Sequence, residues 1–138
     1  MERSLYDRLG GIDAITAVAR AFEARAAQDD RINQKFARTN LVRLTKEFVD
    51  QLCHDTGGPC TYTGRNMTET HANMGVTSGE FDAFMEDLVA TLDGFKVGKA
   101  EQDELLSALM TMRGEIVEVD SSQVGTSLPS AFASAPAL

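Results

Sequence analysis

The 138-residue chain offers two histidines and two cysteines for metal or redox chemistry. His71 stands near the end of the least regular stretch, Gly57 to Thr77. A long irregular segment inside a small helical domain is often functional or wrapped around a bound group. Neutral imidazole is a common metal ligand. On spacing alone, His71 stays open between a ligand and an ordinary surface or internally satisfied histidine. His54 lies two residues past Leu52, about 200° around a helix, so it is expected to point away from that helix's apolar stripe. Cys53 and Cys60 bracket Gly57-Gly58. A reversible disulfide is open to them, but in a reducing cytoplasm two free thiols are the expected state. No phosphate loop, nucleophilic triad or zinc-spaced cysteine set is present in the sequence.

The elements that must position these residues read as helices. The only prolines are Pro59, Pro129 and Pro136, so long helices are permitted on either side of Pro59. Ser4-Leu-Tyr-Asp7 has the look of a helix start, and Gly10-Gly11 would stop a short helix after Leu9. Ile12, Ile15, Ala19, Phe22 and Ala26 recur at helical steps, as do Leu41, Leu44, Phe48 and Leu52 behind Asn40, a good N-cap. Thr77-Ser-Gly-Glu80 spells a capping box ahead of Phe81, Phe84, Leu88 and Leu92. A last helix carries Leu105, Leu109, Met112 and Ile116. Alternation never persists long enough for a strand, and the fold class is all-α. From about Asp120 the chain turns to Ser, Ala, Gly and Pro. The expected organisation is one domain over residues 1–118 and a flexible C-terminal tail over 119–138.

Composition narrows the partners. Thirteen Lys and Arg against 21 Asp and Glu give a net charge of −8, and the pI is near 4.7. Such a field repels phosphate, so no nucleic acid and no anionic membrane are expected as partners. No apolar run approaches the roughly 20 residues a membrane span needs, and the first residues lack a signal-peptide core. A soluble, cytoplasmic protein is the expectation.

Ser4-Leu-Tyr-Asp-Arg-Leu-Gly-Gly11, Phe36 with Thr39-Asn40, Gly57-Gly58-Pro59, Tyr62-Thr-Gly64, Met67 and His71 resemble the truncated haemoglobins in order and spacing. The match is most similar to their first group and covers about Ser4 to Val117. The resemblance implies a two-over-two helical sandwich enclosing haem b. The helices around Ile12 to Ala26 and Leu41 to Leu52 would form one layer, and those around Phe81 to Leu92 and Leu105 to Ile116 the other. It further implies His71 as the proximal iron ligand and Phe36 as the aromatic residue packed on the porphyrin near the distal pocket. Leu44, Phe48, Met67, Val76, Phe81 and Phe84 would be apolar haem contacts, with Tyr62 and Arg65 near the haem edge and its propionates. The implied partners are a diatomic gas and an electron-donating reductase.

The chain departs from the family pattern in the distal pocket, formed by Phe22, Glu23, Leu44 and Phe48. A Tyr usually follows the helix's Phe and hydrogen-bonds bound oxygen, but here Glu23 follows Phe22. Phe48 occupies a position where a Gln often supplies a second donor, with apolar Leu44 one turn before it. An ionised Glu23 would repel a partly negative ligand, whereas a protonated one could donate to it. Glu47 stands where a basic or polar residue often meets a propionate. Phe48 and Phe84 are bulky where ligand channels run. The leading expectation is a haem protein binding oxygen or nitric oxide, with nitric oxide dioxygenation open. A haem- or thiol-based sensor and a haem-free helical interaction module are the alternatives.

Overall fold

The computed structural model describes residues 3–36, 41–60 and 74–127. Among them the regular elements are helical: α1 (Leu5–Leu9), α2 (Gly11–Gln28), a 3-10 turn (Asn33–Phe36), α3 (Leu41–Asp55), α4 (Ser78–Gly94), α5 (Lys99–Met110) and α6 (Arg113–Ile116). Thr77 and Val119 form an isolated bridge. No helix among the described residues is long and apolar enough to cross a membrane.

Local chemistry sets the helix ends. Ser4 caps α1 by accepting from the Asp7 N–H at 3.1 Å, and Gly10, at φ 111°, ends it. Thr77 caps α4: its hydroxyl accepts from the Glu80 N–H, and the Glu80 carboxylate accepts from the Thr77 N–H, each at 3.0 Å. Two orphan donors of the first turn are thereby satisfied, as the sequence predicts. The long last helix is an exception. The Thr111 hydroxyl donates to the Ala108 carbonyl at 2.6 Å, competing with the backbone for that acceptor. The chain breaks there into α5 and α6, leaving Leu105 and Leu109 on one and Ile116 on the other.

Helix α2 is the spine. It packs against α3 on one side and α4 on another, while α5 rests on α4 and α1. This is the expected two-over-two arrangement. Ile15, Val18, Ala19, Phe22 and Ala26 of α2 are buried with Val49, Leu52, Leu88, Leu92, Leu105 and Leu109. Ile12, read as part of the stripe, is 41% exposed, and Val18 takes its place in the core.

At the end of α3 the structure overturns one expectation: Cys53 and Cys60 are joined in a disulfide. The Gly58 N–H donates back to the Cys53 carbonyl at 2.8 Å, so the chain doubles back as α3 ends. That reversal brings the two sulfurs together, which seven residues of sequence separation did not reveal.

Residues 119–127, the expected start of the flexible tail, run across the N-terminus of α4. The N–H groups of Ser78 and Gly79 donate to the carbonyls of Val119 and Ser121, at 3.0 and 2.9 Å. A Cβ on Gly79 would lie 2.6 Å from the Ser122 oxygen, so only glycine admits this crossing. Lys35, 5% exposed, and Glu80, 2% exposed, both reach the segment. Lys35 Nζ donates to Thr126 Oγ1 at 2.8 Å and to the Ser127 carbonyl at 3.1 Å. Glu80 Oε2 accepts from the Thr126 N–H and hydroxyl at 2.8 and 2.7 Å. Lys35 and Glu80 are themselves 3.7 Å apart.

A candidate cofactor cavity

Between α2, α3, α4 and the α5–α6 break lies a cavity of about 170 Å³, open to solvent at its mouth. It is lined mostly by apolar side chains. Ligand sites are typically concave and mostly apolar with a few placed polar groups, and this cavity has that make-up. The local sequence explains its shape. Leu44, Phe48 and Gln51 project from successive turns of α3, and Phe81 and Phe84 from the first turns of α4. Three rings form one wall: Phe22 lies 5.5 Å from Phe48 and 4.7 Å from Phe84, the latter edge-on. Phe81 stacks beside Phe84 at 6.3 Å and carries the Arg113 guanidinium 5.2 Å above its ring. Arg113 is in turn held by Asp82 at 3.0 Å.

Of the residues singled out from the sequence, Phe22, Glu23, Phe36, Leu44, Phe48, Val76, Phe81 and Phe84 all line this cavity. Tyr62, Arg65, Met67 and His71 lie outside the described residues. His54 does not reach the cavity: its side chain is 58% exposed, with Nδ1 3.3 Å from Asp55. The remaining lining includes residues that sequence reasoning passed over, notably Ile32, Lys35 and Gln51, and Glu80, which it read only as a helix cap. Leu109, Met112 and Ile116 were legible as an apolar stripe, though nothing distinguished cavity wall from core. Met112 is pinned by Gln51 Nε2, 3.1 Å from its sulfur.

The polar atoms are few and specific. Glu23 accepts a short hydrogen bond from the Thr45 hydroxyl through Oε2, while Oε1 is buried without a partner among the described residues. Burial pushes its carboxyl above the usual range, against the opposing effect of the Thr45 bond. Glu47 Oε2 is likewise buried and unpartnered among the described residues. Phe48 and Leu44 offer no donor. The pocket thus presents a carboxyl at Glu23 and a phenyl ring at Phe48, the two departures read from the sequence. Among the described residues no three His, Cys, Asp or Glu side chains gather as a metal cluster. The residues fit a large apolar macrocycle with a polar edge, and no histidine among the described residues lines the cavity.

Comparison with known proteins agrees with this geometry. The family model described as bacterial-like globin matches residues 4–118. A group 1 truncated haemoglobin from Tetrahymena pyriformis is 33% identical over 115 residues, spanning 83% of this chain and 95% of that protein. The crystal structure of truncated haemoglobin from Tetrahymena pyriformis in its Fe(III) form superposes with a TM-score of 0.81, covering 83% of this chain and 98% of that one. The 2/2 haemoglobin of a Synechococcus species, solved in the cyanomet state with covalently attached haem, is similar at 28% identity. Its TM-score is 0.80, over 83% of this chain and 98% of that one.

Proposed function

The chain belongs to the bacterial-like globin family, among the group 1 truncated haemoglobins, and from that premise we propose that its cavity holds haem b with His71 as the iron ligand. Family membership implies haem-based ligand binding. The observation that carries it is the convergence of eight residues, spread from Phe22 to Phe84, on one apolar cavity. Val76, just ahead of α4, and Phe81 and Phe84 on it would hold the macrocycle, with Leu44 and Phe48 opposite on α3. Haem, when bound, would supply an iron atom able to take a small ligand. The ligand is a diatomic gas, oxygen or nitric oxide, on the side of Phe22 and Glu23. An electron-donating reductase belongs to the same proposal, because ferrous iron must be regenerated. The protein's own contribution is to exclude water with three phenylalanine rings and to set the polarity there with Glu23.

The test is the ultraviolet–visible spectrum of the haem-reconstituted protein, ferric and ferrous. A Soret band that is lost on purification of His71→Ala is the expected result. Undiminished haem retention in that variant would remove His71 as ligand. No Soret band in either protein would move the function to a haem-free interaction module.

The Cys53–Cys60 bond favours a second reading, a thiol sensor. It fastens the end of α3, one wall of the cavity, to the chain that leads toward His71. Reduction by a dithiol should add two hydrogens to the mass and speed haem loss to an acceptor globin. Equal loss rates in the two redox states would sink the sensor.

A further inference from the structure

Beside the main cavity lies a second hollow, bounded by Ala26, Ala27, Asn33 and Gln34. Glu23, Phe36 and Leu44 line both spaces, so Glu23 stands at the neck between them. Three of the four buried side-chain oxygens that lack a hydrogen-bond partner among the described residues lie along this route. They are Asn33 Oδ1 in the outer hollow, Glu23 Oε1 at the neck and Glu47 Oε2 in the cavity. Burying acceptors without donors leaves their lost hydration uncompensated. A row of them through an otherwise apolar wall calls for a donor that comes and goes.

We propose that Glu23 is the proton acceptor of this pocket, and that the ligands it selects are small neutral weak acids HX, entering past Asn33 and Gln34. Hydrogen cyanide, hydrogen fluoride and hydrogen peroxide are the simplest of this class. The neutral acid crosses the neck, walled by Phe36 and Leu44, without carrying charge into it. At the neck the H–X bond breaks, its electron pair stays with X⁻, and the proton forms an O–H bond on the Glu23 carboxylate. The now neutral carboxyl donates a hydrogen bond back to X⁻, which an ionised carboxylate would repel. Burial raises the proton affinity of Glu23, and the Thr45 hydroxyl holds Oε2 so that Oε1 is the atom left to work.

The other titratable groups facing the cavity are Lys35 from the 3-10 turn, Glu47 from α3 and Glu80 from α4. Lys35 and Glu80 are engaged with each other and with Thr126. Glu47 is the one other carboxyl among the cavity's described residues that lacks such a partner, so Glu47→Gln belongs in the test.

This inference rests on the haem reading, and its test separates the two. In the ferric haem-loaded protein, cyanide association is measured against pH, with carbon monoxide association to the ferrous protein alongside. Wild-type cyanide association should rise with pH through the Glu23 titration. In Glu23→Gln that rise should vanish, and the cyanide-to-carbon monoxide rate ratio should fall by about a hundredfold, the scale of general acid–base assistance. If both rates fall together, Glu23 only shapes the pocket and the proposal is overturned. The proposal also falls if the pH profile survives in Glu23→Gln but vanishes in Glu47→Gln. A second readout needs no haem. The infrared carbonyl stretch of a protonated carboxyl should titrate above the usual glutamate range in the haem-free chain and be missing from Glu23→Gln. Its absence from the native chain overturns the proposal even where haem fails to bind.

Discussion

At the scale of single residues, the sharpest consequence sits away from the cavity, where α2 ends against α4. Arg31 grips Asp29 through two nitrogens, Nε at 3.0 Å and Nη2 at 2.9 Å, and lies 3.6 Å from Asp87. Asp87 is 7% exposed, with Oδ2 buried and unpartnered among the described residues. Burial pushes its carboxyl up from 3.8 to about 7, and the neighbouring Asp29 pushes in the same direction. Asp29, bonded to Arg31, is held well below the carboxylate range. One proton on Asp87, shared toward Asp29, resolves the pair. Because its folded-state pKa is raised, Asp87 contributes stability that is full below about pH 4 and lost as pH climbs through about 7. Asp29 has the opposite sign, and its contribution is lost only as pH falls below its ordinary value of 3.8. Asp87→Asn, which keeps a donor without the charge, should therefore melt higher than the native chain at pH 8. Near pH 4 the two melting points should converge. A constant offset across that range would show that the proton is not the cause. This pair was invisible in the sequence, since its members stand on separate elements far apart in the chain. The Phe22-Glu23 departure, by contrast, was legible because a family pattern marked what should stand there.

Elements were read more reliably than residues, for a physical reason: caps and stripes are local. Ser4, Gly10 and the Thr77–Glu80 box are all within four residues of what they satisfy. Thr77 carries an additional bond, its hydroxyl donating to the Gln123 carbonyl at 2.5 Å. Thr77→Ala should cost about 1–2 kcal/mol, the upper part of the usual range for a lost N-cap, and Thr77→Ser should recover most of it. Chemical denaturation checks both, and an undiminished midpoint in the alanine variant would contradict the cap. What was illegible in the elements was whatever depends on another part of the chain. The break between α5 and α6 lies inside an apolar stripe that runs on unchanged. The Cys53–Cys60 bond depends on the reversal at Gly58. His71 could be assigned only through the resemblance, because a single histidine has no periodicity to betray it.

For the whole molecule, the tail matters more than its composition suggested. Ser, Gly and Thr looked like solvated filler, yet Thr126 is the residue that completes the Lys35–Glu80 pair across 91 and 46 residues of chain. Removing one member of a buried ion pair strands the other, at a cost on the order of 3–5 kcal/mol. Lys35→Met should show that loss in its unfolding free energy. It should also speed amide exchange through residues 119–127, and unchanged exchange there would show that Lys35 does not hold the segment.

That pair also imposes an order on synthesis. Domains generally begin to fold from the N-terminal side as they leave the ribosome. Lys35 and Glu80 are translated well before Thr126, and the family match ends at residue 118. A nascent chain exposed only that far has both charges and none of the tail's donors or acceptors. Its interior closes when residues 119–127 emerge, so a segment translated later acts as the latch on a body assembled before it.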